Sequence, residues 1–380
     1  MVGGALGGPI VVGYYPSSKK PEMPTVDFSM YTHINLAYAI PNSDGTFSFD
    51  GDGFVTQVAL ICIGGWTGSN YFSNILKNPS TSDKMIQNIA DYIKKNDLDG
   101  VDIDWQYPGR PGDDCNSYDP QNDAQNYLAF LTRLRQQFDF TFGEHRKLIT
   151  LAVRVQPFDG PAGPMSNVSE FAKPVDYASL MQYDINGYWT TLTGHNAPFN
   201  FENGKGLPAS FVSAIGNWTA AGWPVNKLIA GLAFSGRSTQ ALEDMTQDPN
   251  NQYQPQSNKV PLGDVEDAPV FDPCAGAGPQ QNSGIWQWKH LRDQGVLSSP
   301  TTANSPWVRQ WDAVSQTPWL FNPQSKIFIS YDDPQSIKIK VDYAASKGLA
   351  GFMVRSINMD SPNYELLNVA KSMQPLVATA

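Results

Sequence analysis

The chain has 380 residues, 41% of them hydrophobic, enough to bury a large core either as one barrel with an insertion or as two domains. A formal net charge of −10 and a pI near 4.8 argue against nucleic acid or an anionic membrane surface as partner, because both demand a basic face; a neutral ligand fits better. No run of about 18 apolar residues marks a membrane span.

Apolar, β-branched runs recur along the chain with helical patterns between them, the rhythm of parallel strands in βα units. The spacing predicts strands at Ile10–Tyr15, His33–Ile40, Ala59–Gly64, Gly100–Gln106, Leu148–Val155, Tyr177–Tyr183, Leu228–Ser235 and Leu349–Ser356. Helices are predicted at Asp83–Lys95, Asp123–Gln137, Phe211–Ala221 and Gln335–Lys347, with Asp, Ser or Gly in capping places. Eight such units predict an α/β fold, a (β/α)8 TIM barrel whose functional residues gather at the C-terminal strand ends. Two segments break the rhythm. The second crossover, Pro41 to Leu60, has room for barely one helical turn around Phe54–Val58. Between the seventh and eighth strands, residues 238–333 carry Trp286, Trp288, Trp307 and Trp319, and predict a small α+β insertion domain walling one side of the cleft. The barrel is then 1–237 with 334–380.

One strand organises the rest. In Leu98-Asp99-Gly100-Val101-Asp102-Ile103-Asp104-Trp105-Gln106-Tyr107-Pro108, strand periodicity sends Asp102, Asp104 and Gln106 to one face and Val101, Ile103 and Trp105 to the other. Burying several acids on one interior face costs several kcal/mol per ion unless they are paired or hydrogen-bonded, so a purely structural strand is rarely written this way. The alternative is an edge strand with solvated acids. The series ends in an amide where acid chemistry calls for a carboxyl.

Residues 99–106 resemble the Asp-x-x-Asp-x-Asp-x-Glu motif of glycoside hydrolase family 18, the chitinases, at every position but the last. Cys62-Ile63-Gly64-Gly65-Trp66 is similar to that family's Ser-x-Gly-Gly-Trp third strand, Met181-Gln182-Tyr183-Asp184 to its Met-x-Tyr-Asp sixth strand, and Tyr331-Asp332-Asp333-Pro334 to a segment near the end of its insertion, with fungal members nearest in style. The resemblance implies hydrolysis of β-1,4-linked N-acetylglucosamine polymers, in which the substrate's own acetamido oxygen attacks the anomeric carbon. In that scheme the last Glu protonates the leaving oxygen, the preceding Asp orients the acetamido group, the Asp before it tunes its neighbour, and the sixth-strand Tyr and Asp assist. By motif these places fall to Gln106, Asp104, Asp102, Tyr183 and Asp184. The resemblance further implies sugar-binding positions at Tyr14, Tyr38, Trp66, Tyr107, Met181 and Arg355.

An amide can neither give up a proton at neutral pH nor regain one, and general acid catalysis typically supplies about 10²–10⁴-fold, so at best trace hydrolysis is expected. Further departures accompany Gln106. Arg355 stands where the family's eighth strand usually ends in Trp, Ser235 where it often has Tyr, Cys62 where it has Ser, and Arg154 where Pro is common. A single engineered replacement in an active endochitinase would leave these places alone. Together they favour an inactive chitinase-like protein that binds chitin or chito-oligosaccharides, and the resemblance to fungal members implies a secreted effector that hides fragments from host perception. A third reading is a barrel that binds and inhibits another hydrolase. Arg355 is expected to fill the sugar subsite and pair with Asp184 or Asp104.

Three cysteines allow one bridge; Cys115 and Cys274 lie in Pro/Gly/Asp-rich loops and could pair, while Cys62 sits in an apolar run. No cysteine or histidine spacing suggests a metal, and no cofactor is expected. Sequons at Asn167-Val168-Ser169 and Asn217-Trp218-Thr219 fit a secreted, extracellular protein, although Met1-Val2-Gly3-Gly4 opens no signal peptide. A monomer is expected, with no nucleic-acid or membrane partner.

Overall fold

The computed structural model describes residues 8–18, 25–49, 58–269 and 282–374. Eight parallel strands, Ile10–Pro16, His33–Pro41, Val58–Gly64, Gly100–Asp104, Leu148–Val153, Tyr177–Leu180, Leu228–Ala233 and Gly351–Arg355, pair each with the next. The last pairs with the first, from Ile10 opposite Gly351 to Tyr14 opposite Arg355, and closes the sheet into the predicted (β/α)8 barrel. Strands four to eight stop short of the predicted ends: residues 105–106, 154–155, 181–183, 234–235 and 356 leave the barrel ladder, and Ser235 opens the next sheet.

The alternation of each strand divides the apolar residues between two cores. Val101, Ile103 and Trp105 join the large shell between barrel and helices, where the Trp105 ring stacks on Phe72 at 5.4 Å. Inside the barrel lies a smaller cluster of Val12, Tyr14, Ala37, Cys62, Tyr177, Ile229 and Met353. The four predicted helices are present as Pro79–Asn96, Asp123–Phe142, Phe211–Ala220 and Pro334–Lys347. Ser210 and Asp333 each form a reciprocal capping box, and the last helix ends on Gly348 at φ +83, where a side chain would be strained.

The second crossover is described only at its two ends. Phe47–Ser48 folds back antiparallel on Ile40–Pro41, and Val58 already belongs to the third strand, so no helical turn reaches it; the rest of Phe54–Val58 lies outside the described residues.

Between the seventh and eighth barrel strands, Ser235–Gln240, Ile285–Gln287, Val308–Asp312, Thr317–Asn322 and Ile327–Ser330 form an antiparallel sheet, with a short helix at Trp288–Asp293. Three of its tryptophans, Trp286, Trp288 and Trp319, are buried, and Trp288 stacks on Tyr331. A buried ion pair ties the sheet's exit to the barrel: Lys340 Nζ donates to Asp332 Oδ1 at 2.6 Å and to the Ala197 carbonyl at 2.6 Å. Cys62 is a free buried thiol and Cys115 is disulfide-bonded; Cys274 lies outside the described residues.

Candidate active site

The acidic strand delivers its polar face to the barrel interior. Asp102, Asp104 and Gln106 are all buried, at 0%, 1% and 8% exposure, which removes the edge-strand alternative. Asp99, by contrast, works at the opposite end of the strand: its carboxylate accepts the Ala59 N–H at 2.9 Å and pins strands three and four together.

Register explains how Asp102 is satisfied. Its neighbours across the ladder are Cys62 on strand three and Thr150 on strand five. Thr150 Oγ1 donates to Asp102 Oδ1 at 2.6 Å, while Tyr14 OH and Cys62 Sγ donate to Oδ2 at 2.6 and 3.1 Å. Burial pushes the Asp102 carboxyl up, against those three bonds, which favour the ionised form. Burial raises the Asp104 carboxyl to about 7, with the Gln106 bond and the Arg355 charge opposing and the Asp102 charge reinforcing. Near neutral pH the two acids therefore carry a proton between them part of the time. Tyr14 is 2% exposed and spends its hydroxyl on Asp102, so it offers no open ring face to a sugar.

Gln106 sits directly above. Its Nε2 donates to Asp104 Oδ1 at 2.9 Å and touches Met181 Sδ at 3.6 Å, and its backbone carbonyl accepts Asn116 Nδ2 at 2.9 Å. The same Asn116 amide reaches the Trp66 carbonyl at 3.1 Å, which joins the loops after strands three and four. Tyr38, Met181 and Tyr183 pack on the inner cluster, and the Tyr183 hydroxyl contacts Met353 Sδ at 3.8 Å. Trp66 is 49% exposed and meets Tyr107 edge-on at 6.5 Å. The eleven positions chosen from sequence, eight of them aromatic or acidic with Gln106, Met181 and Arg355, lie at this end of the barrel or just inside it.

Arg355 corrects one expectation. Its guanidinium lies over the Tyr38 ring, 5.7 Å from the centroid, and makes no ion pair within 4 Å among the described residues. Both carboxylates predicted for it have other partners: Arg237 Nε donates to Asp184 Oδ1 at 2.5 Å, and Asp104 takes the Gln106 amide. Although burial works to raise it, the Arg237 guanidinium holds the Asp184 carboxyl below the ordinary carboxylate range. Arg237 also covers the Trp189 ring at 5.2 Å, and Trp189 remains 44% exposed at the rim. Arg154 is likewise engaged, bonding Asp159 at 2.7 Å.

Sequence reasoning missed Thr150, Asn116, Arg237 and Trp189. Thr150 was reachable as the strand-five residue in register with Asp102; Trp189 was signalled by an aromatic pair, Tyr188-Trp189, five residues beyond the sixth-strand acid. Nothing local marked Asn116 or Arg237, whose partners are distant in sequence. Among the described residues no group of three or more His, Cys, Asp or Glu side chains could hold a metal ion, and no helix is long and apolar enough to cross a membrane.

A sequence model for the glycosyl hydrolases family 18 matches residues 10–360. The chain belongs to glycosyl hydrolase family 18. It is 34% identical over 372 residues to a chitinase-like effector of Moniliophthora roreri, spanning 91% of this chain and 88% of that protein. A chitinase-like effector of Moniliophthora perniciosa is 31% identical over 382 residues, with 92% and 84% covered. The crystal structure of a chitinase from Rhizomucor miehei superposes with a TM-score of 0.86 at 32% identity, covering 96% of this chain and 99% of that one. These likenesses account for the barrel fold.

Proposed function

We propose that this protein binds chitin or chito-oligosaccharides and does not cleave them. The observation that carries the reading is the amide of Gln106 donating to Asp104 at 2.9 Å. A protonated carboxyl at that place would make the same hydrogen bond and then release its proton to a leaving oxygen; the amide preserves the bond and has no proton to release. The ligand-holding side is supported by Trp66 and Trp189, two exposed indoles after strands three and six, with Tyr107 against Trp66, Arg355 over Tyr38, and Tyr38, Met181 and Tyr183 on the inner cluster. Asp102, Asp104 and Asp184 keep the acidic frame, with Arg237 of the antiparallel sheet holding Asp184.

Secretion, and sequestration of chitin fragments from a host's immune perception, take their support from the two relatives named as effectors. Calorimetry with chitohexaose at pH 6, with chromatography of the same mixture after a day, tests the reading. Micromolar binding with intact hexamer is expected; no binding tighter than millimolar, or release of shorter sugars, overturns it. The hydrolase-inhibitor reading predicts instead a protein partner that chitohexaose fails to displace.

A further inference from the structure

The two sequons stand in opposite local environments. Asn167 is exposed in the turn that enters the 3-10 segment Ser169–Ala172, and its Oδ1 accepts both the Ser169 N–H at 3.0 Å and the Ser169 hydroxyl at 2.7 Å. The carboxamide and the hydroxyl of this sequon are thus already in contact, in an Asx-type turn, while the amide nitrogen donates to nothing among the described residues. Asn217 is exposed too, but it lies within the helix Phe211–Ala220. There Thr219 Oγ1 is committed to the Ile215 carbonyl at 2.8 Å, Asn217 Nδ2 leans on the Val155 carbonyl at 3.4 Å, and the intervening Trp218 is fully buried with its Nε1 on the Arg154 carbonyl at 2.8 Å. Reaching an acceptor turn at Asn217 requires unwinding a core-packed helix.

We propose that Asn167 is an N-glycosylation site of this protein and that Asn217 is left bare. The inference rests on the reading of the protein as secreted, since the donor belongs to the secretory pathway. That donor is a lipid-linked oligosaccharyl diphosphate. The bond between the sugar's anomeric carbon and the diphosphate oxygen breaks, the carbon bonds to Asn167 Nδ2, the nitrogen loses one proton, and the diphosphate leaves with the bonding electrons.

The location is compatible with ligand binding. Val168 N–H donates to the Ala221 carbonyl at 2.8 Å, and Lys227 Nζ bonds the Ala172 and Val175 carbonyls at 2.7 and 2.8 Å. This flank leads into the starts of strands six and seven at Tyr177 and Leu228, whereas the cleft lies at the strands' ends. A glycan at Asn167 grows away from Trp66, Gln106 and Trp189.

The test sends the full chain through a yeast secretory pathway behind a cleavable export signal, so it does not depend on how the native protein is exported. Peptide mass spectrometry after enzymatic deglycosylation in heavy-oxygen water is expected to find Asn167 converted to labelled Asp in most molecules and Asn217 in under about a tenth. Asn167→Gln and Ser169→Ala abolish the mark, Ser169→Thr keeps it, and Asn217→Gln leaves the mass of the glycoprotein unchanged apart from the residue. Chitohexaose affinity changes less than twofold on deglycosylation. An exported protein unmodified at Asn167, or equally occupied at Asn217, overturns the inference. Retention of the untagged native chain inside its own cells would instead count against the secreted reading.

Discussion

Gln106 and Asp104, two residues apart on the fourth strand, meet side chain to side chain at 2.9 Å with the amide as donor. The geometry preserves what a protonated carboxyl would do structurally and withholds what it would do chemically.

Placing a carboxyl at position 106 therefore tests the proposed inactivity. Arg355 matters to the outcome, because its charge already works to lower the Asp104 carboxyl and would favour the ionised form of a neighbouring Glu, the wrong form for a proton donor. Gln106→Glu alone is expected to gain less than about tenfold over background on a soluble chito-oligosaccharide, and Gln106→Glu with Arg355→Met at least about tenfold more, within the 10²–10⁴ that a positioned acid supplies. Full turnover from the single replacement would identify the amide as the sole obstacle.

Asp104 also sets a pH dependence of stability. Its carboxyl titrates near 7 when folded, against about 4 when unfolded, so between those values the folded state binds the proton more tightly. Stability from this group is fully present below about pH 4, falls as pH rises toward 7, and levels off above, by roughly 4 kcal/mol at most. Asp104→Asn removes the titration. Urea unfolding of both proteins from pH 4 to 7 should show the wild type losing stability relative to the variant; a constant gap contradicts the assignment.

Lys340 and Asp332 form a pair with side-chain exposures of 1% and 0%. Lys340→Met leaves Asp332 charged, buried and uncompensated, at an expected cost of about 3–5 kcal/mol. Adding Asp332→Asn should recover more than half of that, as read from denaturant midpoints. Equal destabilisation by single and double variants would place the effect in lost packing.

The exposed indoles predict the energetics of binding. Trp66→Ala and Trp189→Ala should each weaken chitohexaose binding by about 1 kcal/mol or more, roughly fivefold, from lost apolar contact with sugar faces. Arg237→Ala should weaken it as well by releasing Trp189 and Asp184, while Trp105→Ala, behind the strand, should lower stability. Calorimetry paired with thermal unfolding separates the two classes.

Much of this was written locally in the chain. Period-two alternation at residues 99–106 was enough to put Asp102, Asp104 and Gln106 inside and Trp105 behind them, because a strand has only two faces and only one can join the outer shell. The eight apolar runs and the capping residues gave the barrel, and the motif gave the cleft. What remained open depended on contacts between distant segments. The chain alone leaves Arg355 to pair with Asp184 or Asp104, yet Arg237 reaches Asp184 first, because the strand that leaves the barrel at Ser235 carries Arg237 back to it. Tyr14 looked like a sugar platform until the barrel closed around it and turned its hydroxyl onto Asp102. Sequence by itself determined which residues face inward, since that follows from strand period; tertiary structure alone decided which of them pair, since ion pairs and hydrogen bonds form between side chains whose separation along the chain carries no signal.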